Sequence, residues 1–386
     1  MKRILVVDDE VQILKALSRM FLETDYEVVT ADNSMDALKL MEEKEIHMVI
    51  SDMRMPSLDG YKLLTMVKEK YPKIIRVILS GYADEKPLFK ALLHNLAKLY
   101  VFKPWNNNEF LENVNKLFED DTVLNSIELT DMIKNMGCCS DIPENCNKLI
   151  SLIEEENIDA VIKELEDDPI LSKLLIQVAQ SAVYGVMPNK VKQAAIYMGL
   201  HNLKCFIHFA CVASVTKQTE DIEDKPELLW KHAYLTNRIF LFLYEAFLHK
   251  QPPESAMFAG LLHNIGLILL SRSRKQNGSL KKPHLTSNDY IELENDEYVA
   301  NHQVVGAYFL DQWDLPFPIY EVALYHHNPL APAVIFHELV CAVHIAEAYA
   351  WKALSGDKYV PVKPEVFEKL GITKEEFEKK LARYLK

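Results

Sequence analysis

Five short apolar runs punctuate the first 120 residues: Ile4–Val7, Glu27–Ala31, Met48–Ser51, Val77–Leu79 and Leu99–Phe102. Val and Ile dominate the first, third and fourth, the composition of strands buried on both faces. Between the runs lie segments with helical spacing, such as Ile13, Leu14, Leu17, Met20 and Phe21. Five such strand–helix units restrict this region to a parallel, doubly wound α/β sheet with right-handed crossovers.

The grammar changes after Glu119–Asp121. From Asn145 onward the spacing is almost only helical, as in Leu171, Leu174, Leu175 and Val178. Asp168-Pro169 reads as an N-cap followed by proline at the first helical position, and prolines at 188, 226, 252–253, 316, 318, 329 and 332 punctuate the helices. The expected organisation is an α/β domain over 1–121, a linker over 122–140 that could itself be helical, and an all-α domain over 141–386.

Composition narrows the function classes. The 386 residues carry 43 Lys and Arg against 56 Asp and Glu, a formal charge of −13. Nucleic-acid affinity comes from cations neutralising phosphates, so no nucleic-acid partner is expected. Six cysteines without a CxxC pair describe reduced thiols rather than a disulfide framework. The opening MKRILVVDDE places acids directly after its apolar run, unlike a signal peptide. The longest apolar helix-like run, Ala256 to Leu270, falls short of the roughly 20 residues of a membrane span. A cytoplasmic location without membrane insertion is expected.

Chemistry gathers at the carboxyl ends of the expected strands. Asp8 and Asp9 end the first, Asp52 the third, Ser80 the fourth and Lys103 the fifth. In open α/β sheets ligands bind beyond these ends, where strand order reverses. Three carboxylates suit Mg²⁺, a hard cation. Asp52 can attack a phosphoryl donor, Lys103 can offset charge on the transferred group, and Ser80 can hydrogen-bond it.

Residues 1–120 resemble the receiver domain of bacterial two-component response regulators, a flavodoxin-like fold. The resemblance implies Asp52 as phospho-acceptor, with Asp8, Asp9, Asp52 and the Arg54 main-chain carbonyl as the Mg²⁺ ligands. It implies Ser80 and Tyr100 as a switch pair beside the phosphate-stabilising Lys103, a cis peptide at Lys103-Pro104, and a histidine kinase as partner.

Of 13 histidines, all but His47 and His94 lie in the second half. His232, His263, His302, the pair His326-His327 and His344 are spread along its helical segments, as in bundle-core metal sites. Together with DDPILSKLLIQVAQSAVYG, AAIYMGLHNLKCF and WDLPFPIYEVALYHH, they resemble the HD-related output domain (HDOD), a helical relative of the HD phosphohydrolases. In active HD enzymes a His-Asp pair and a later Asp help hold two metals. Here Asn264 stands at the first aspartate and His344 is read at the second. The expected pocket is therefore degenerate, with no catalytic hydrolase residue, and a transition metal in it is the less favoured reading. His337, Cys341 and His344 share one helix face, read as packing. Cys138, Cys139 and Cys146 bracket the linker without a metal-finger spacing.

The expected protein is a non-enzymatic response regulator. Phosphorylation of Asp52 would modulate a helical output domain acting through an undefined downstream protein, with homodimerisation open. The alternative is a phosphorylation-gated, metal-dependent phosphohydrolase acting on nucleotides. A transcription factor is disfavoured by the acidity and by the lack of a basic recognition helix.

Overall fold

Ile4, Leu5, Val6 and Val7 have no exposed surface. In the computed structural model they form β1 (Arg3–Val7), inside a sheet covered on both faces. The structure describes residues 1–81, 95–136, 144–181, 188–216, 226–270, 300–356 and 359–385. It divides into two units, Met1–Asp121 and Thr122–Lys386.

In the first unit β1 is followed by α1 (Val11–Met20), β2 (Glu27–Ala31), α2 (Ser34–Glu43), β3 (Met48–Asp52), α3 (Gly60–Lys70), β4 (Ile75–Ser80), β5 (Leu99–Phe102) and α4 (Asn107–Leu124). All strand pairs are parallel, in the order β2-β1-β3-β4-β5. Leu5, Val7, Val49 and Ile78 share one cluster with Ala37 and Met41 of α2 and Leu63, Leu64 and Val67 of α3. Their alternates Ile4, Val6, Met48, Ile50, Val77 and Leu79 are equally buried. This two-sided burial is why the runs lack an apolar–polar alternation. The expected strands are present, and β4 extends two residues earlier and one later than its apolar run.

Strand order reverses between β1 and β3, so the crevice at their carboxyl ends is the ligand position for such a sheet. Asp59 caps α3, its carboxylate accepting the Lys62 N–H at 2.8 Å. Gly60, the first α3 residue, lies against the end of β3: a Cβ there would sit 1.8 Å from the Asp52 carbonyl oxygen. Only glycine permits that approach.

The helical unit takes in the end of α4, because the boundary after Asp121 falls inside that helix. It continues with α5 (Ile127–Met136), α6 (Glu144–Glu154), α7 (Ile158–Asp167), α8 (Pro169–Ser181), α9 (Val191–Thr216) and α10 (Pro226–Leu243). A π turn, Tyr244–Leu248, ends α10. Then come α11 (Ala259–Leu262), α12 (His302–Gln312), α13 (Phe317–Tyr325), α14 (His337–Ser355), α15 (Pro364–Lys369) and α16 (Lys374–Tyr384). Asp168 caps α8 as expected, accepting from the Ile170 and Leu171 N–H groups. Gly199 breaks α9 with a φ of 72°, in the left-handed region that favours glycine. α10 packs along α14 and α12 along α13. Among the described residues, no helix is long and apolar enough to cross a membrane. Trp351 is buried, whereas Trp230 and Trp313 are half-buried and stack on Phe209 and His208. Cys138, Cys139 and His94 lie outside the described residues.

Candidate functional site

The β3–β4 ladder sets Asp52 opposite Leu79, and the β4–β5 ladder sets Ser80 opposite Phe102. Neighbouring main chains hold these strand ends. Met53 N–H donates to the Leu79 carbonyl, Gly60 N–H to the Met53 carbonyl and Lys103 N–H to the Ser80 carbonyl. The Lys103-Pro104 peptide is cis.

Asp8 and Asp52 are buried, and Asp9 is exposed at the mouth. Lys103 Nζ lies 2.8 Å from Asp8 Oδ2, contacts Asp52 Oδ1 and approaches Glu10 at 3.9 Å. This makes three carboxylates around one ammonium. The second Asp52 oxygen accepts the Arg54 N–H at 2.6 Å, and Asp8 Oδ1 accepts the Glu10 N–H at 2.9 Å. Burial pushes the Asp8 and Asp52 carboxyls above the ordinary carboxylate range, against the pull of Lys103. Burial also works against charge on Lys103, but its two carboxylate partners outweigh it and raise its pKa. Ser80 is fully buried, its hydroxyl donating to the Gly81 carbonyl at 3.2 Å. Tyr100 is half-buried against the α2–α3 core cluster. A cavity of about 400 Å³ opens beside the loop after β3, lined by Met53, Arg54, Met55, Pro56, Asp59 and Tyr61.

The oxygens suit Mg²⁺. Asp8 and Asp52 already share one cation, and a surplus of negative charge remains around it.

The helical unit gathers its histidines from five places in the chain. His232 lies on α10, His263 and Asn264 follow α11, His302 opens α12, His326 and His327 follow α13, and His344 lies on α14. The Nε2 of His302 is 3.4 Å from that of His326 and 3.1 Å from that of His327. His326 Nδ1 is 2.8 Å from the Ala323 carbonyl, and His263 Nδ1 is 2.8 Å from the Gly260 carbonyl. Both contacts require the hydrogen on Nδ1 and leave Nε2 as a lone pair facing the cluster. His263 Nε2, His232 Nδ1 and Asn264 Oδ1 are buried without a hydrogen-bond partner. Burial holds His232 down at about 3 and drives His263, His326 and His327 well below the ordinary histidine range. The neutral imidazole is the metal-binding form.

The pocket also holds a carboxylate that the sequence reading lacked. Glu347 on α14 is 5% exposed, and its Oε1 lies 3.9 Å from both His263 Nε2 and His327 Nε2. The Asn264 side chain hydrogen-bonds it, while burial pushes its pKa up to about 8. His344, read as standing at the later acidic position, instead bonds the His326 carbonyl through Nδ1 at 2.6 Å. His337 and Cys341 on the same face reach the Pro329 carbonyl. That stripe holds the segment after His327 in place.

A family model described as the response regulator receiver domain matches residues 4–115, and one described as the HDOD domain matches residues 140–329. The chain joins a response regulator receiver domain to an HDOD domain. Its receiver domain is 39% identical over 111 residues to the hydrogenase transcriptional regulatory protein HoxA of Bradyrhizobium diazoefficiens, covering 29% of this chain and 23% of that protein. It is 29% identical over 110 residues to the response regulator protein FleR of Pseudomonas aeruginosa, covering 28% of this chain and 23% of that protein. The chain thus spans about a quarter of the length of these curated relatives. Among solved structures, the signal receiver domain of an HD domain-containing protein from Pseudomonas fluorescens Pf-5 is 31% identical. That match covers 31% of this chain and 96% of the other, with a TM-score of 0.30.

In the receiver domain, Asp8, Asp52 and Lys103 meet directly, and the Arg54 main chain touches Asp52. In the HDOD domain, His232 and His263 group with Glu347, and His302 groups with His326 and His327. Asn264 touches Glu347, and His344 stands behind them against the main chain.

Proposed function

We propose that the chain is a phosphorylation-controlled response regulator in which Asp52 accepts a phosphoryl group from a histidine kinase. The observation that carries this reading is the position of Asp52, buried at the end of β3 and bridged to Asp8 by Lys103. An Asp52 carboxylate oxygen forms the new O–P bond as the phosphohistidine N–P bond breaks, and the departing imidazole nitrogen takes up a proton. Asp8, Asp9, Asp52 and the Arg54 carbonyl hold Mg²⁺, which when bound offsets negative charge on the phosphoryl oxygens. Lys103 stabilises the same oxygens from the β5 side, and Ser80 hydrogen-bonds the group once attached. Ser80 and Tyr100 then bias the β4–β5 surface between two arrangements.

The proposed division is a receiver domain over 1–121, a linker over 122–140 and an output domain over 141–386. The output is non-catalytic and acts through protein contacts, because the Asn264 amide cannot serve as an anionic bridge between two metals. Mass spectrometry after incubation with acetyl phosphate tests the acceptor. Wild type gains one phosphoryl group only with Mg²⁺, and a full adduct on Asp52→Ala would remove the assignment.

Glu347 favours a second reading, a phosphorylation-gated metal phosphohydrolase acting on nucleotides, because it returns one carboxylate to the imidazole pocket. Phosphodiester turnover by the full chain, lost in His263→Ala, would establish it over the first.

A further inference from the structure

Ser34 opens α2 but does not cap it. The cap is Asn33, whose side-chain oxygen accepts the Asp36 N–H at 2.9 Å. Ser34 is 1% exposed and lies on the buried face of α2 with Ala37 and Met41. Its hydroxyl donates to the Leu58 carbonyl at 2.7 Å, across to the loop between β3 and α3. The Leu58 N–H donates in turn to the Pro56 carbonyl at 2.9 Å, which closes a three-residue γ turn on Ser57. Ser57 has a φ of 69°. A γ turn of positive φ is rare and strained, and serine, unlike glycine, carries a Cβ that resists it.

Packing alone does not hold that loop. Met53, Arg54, Met55 and Pro56, with Asp59 and Tyr61 at the start of α3, border the cavity of about 400 Å³. Side chains that face a void lose the contacts that would fix them. The loop is pinned at its two ends, where the Met53 N–H bonds the Leu79 carbonyl and the Gly60 N–H bonds the Met53 carbonyl. Between those ends, the Ser34 hydroxyl ties its middle to α2. A strained backbone persists only while its surroundings hold it there, so cutting this tie lets the turn relax. Arg54 lies in the same loop, three residues before Ser57.

We propose that Ser34 is a positioning residue for divalent-cation binding in the receiver crevice: through the Leu58 carbonyl it holds the strained Ser57 turn, and with it the Arg54 main-chain carbonyl, in the arrangement that receives the ion. The inference rests on the receiver reading, in which that carbonyl is a Mg²⁺ ligand. Ser34 acts through the loop and not on the ion. Mg²⁺ demands near-ideal octahedral geometry, so a small displacement of one oxygen ligand costs affinity. Loss of a partner that orients a ligand typically costs roughly 10–100-fold in metal affinity. The tie works against the strain, so the two residues are coupled. Glycine at position 57 accepts the positive φ without resistance, and the tie then has less to hold.

The test titrates the full chain with Mn²⁺, which takes the same oxygen ligands as Mg²⁺, and reads the free ion by electron paramagnetic resonance. Binding that is lost in Asp9→Ala belongs to the receiver. Ser34→Ala should weaken that binding by about 10–100-fold. Ser57→Gly alone should keep it, and Ser34→Ala combined with Ser57→Gly should recover most of the loss. Acetyl phosphate labelling gives an independent readout. In Ser34→Ala the half-saturating Mg²⁺ concentration should rise by the same factor, while the rate at saturating Mg²⁺ stays at the wild-type level. Circular dichroism checks that each variant is folded. A folded Ser34→Ala that binds Mn²⁺ as wild type does overturns the proposal. So does a loss that Ser57→Gly leaves undiminished, or a defect confined to the rate at saturating Mg²⁺. A wild type without Asp9-dependent Mn²⁺ binding overturns the metal reading of the receiver itself, and the proposal with it.

Discussion

Lys103 and Asp8, 95 residues apart in the chain, are joined by a 2.8 Å bond from Nζ to Oδ2 in the crevice between β1 and β3. The same ammonium touches Asp52, so a single cation holds two buried carboxylates. Lys103→Met removes it and leaves both carboxylates with main-chain N–H partners but no cation. Breaking such a pair costs about 3 kcal/mol. Urea unfolding of the receiver transition in EDTA should show a loss near that size, partly recovered by millimolar Mg²⁺. Equal stability of variant and wild type in EDTA would show that Lys103 does not offset these charges.

Glu321 on α13 is fully buried. Its two oxygens accept the Ile335 and Phe336 N–H groups at 2.6 and 2.9 Å, at the entry to α14. A charged acceptor of buried N–H groups contributes about 1.5–3 kcal/mol per bond. Glu321→Ala is expected to destabilise the HDOD domain by about 3 kcal/mol, read by calorimetry.

His201 and His208 lie on α9 outside the histidine cluster. Burial holds them at about 4 and about 3. Both stay neutral when folded, whereas an unfolded histidine takes a proton near pH 6.5. The unfolded state therefore binds more protons below about pH 6.5, and stability falls with pH from there towards pH 4, by about 1.4 kcal/mol per unit for each histidine. His208→Phe keeps an aromatic ring stacked on Trp313. Its stability profile across pH 4–6.5 should be flatter than that of wild type.

The formal charge of −13 predicts no specific DNA binding by the full chain. A band shift that persists at 200 mM salt with nanomolar protein, and discriminates between sequences, would contradict it.

The receiver crevice was legible because a parallel sheet brings the ends of sequence-distant strands to one edge. Asp8, Asp52, Ser80 and Lys103 each follow an apolar run, and the parallel ladders do the rest. The HDOD pocket was legible only as a set of imidazoles. Nothing local marks Glu347, because α14 is buried nearly all round and has no polar face to fix its phase. The available signal was spacing: His344, Glu347 and Trp351 recur at i, i+3 and i+7, one stripe of a helix. The tautomers set by Gly260 and Ala323 depend on main-chain carbonyls and leave no trace in residue identity.

The missing side chain of Gly60 has a mechanical consequence. Since even a methyl group would collide with the Asp52 carbonyl, the acceptor's main chain and the first turn of α3 occupy one steric slot. Any side chain at position 60 would have to push the start of α3 away from the end of β3, so the width of that seam is set by the absence of a single carbon atom.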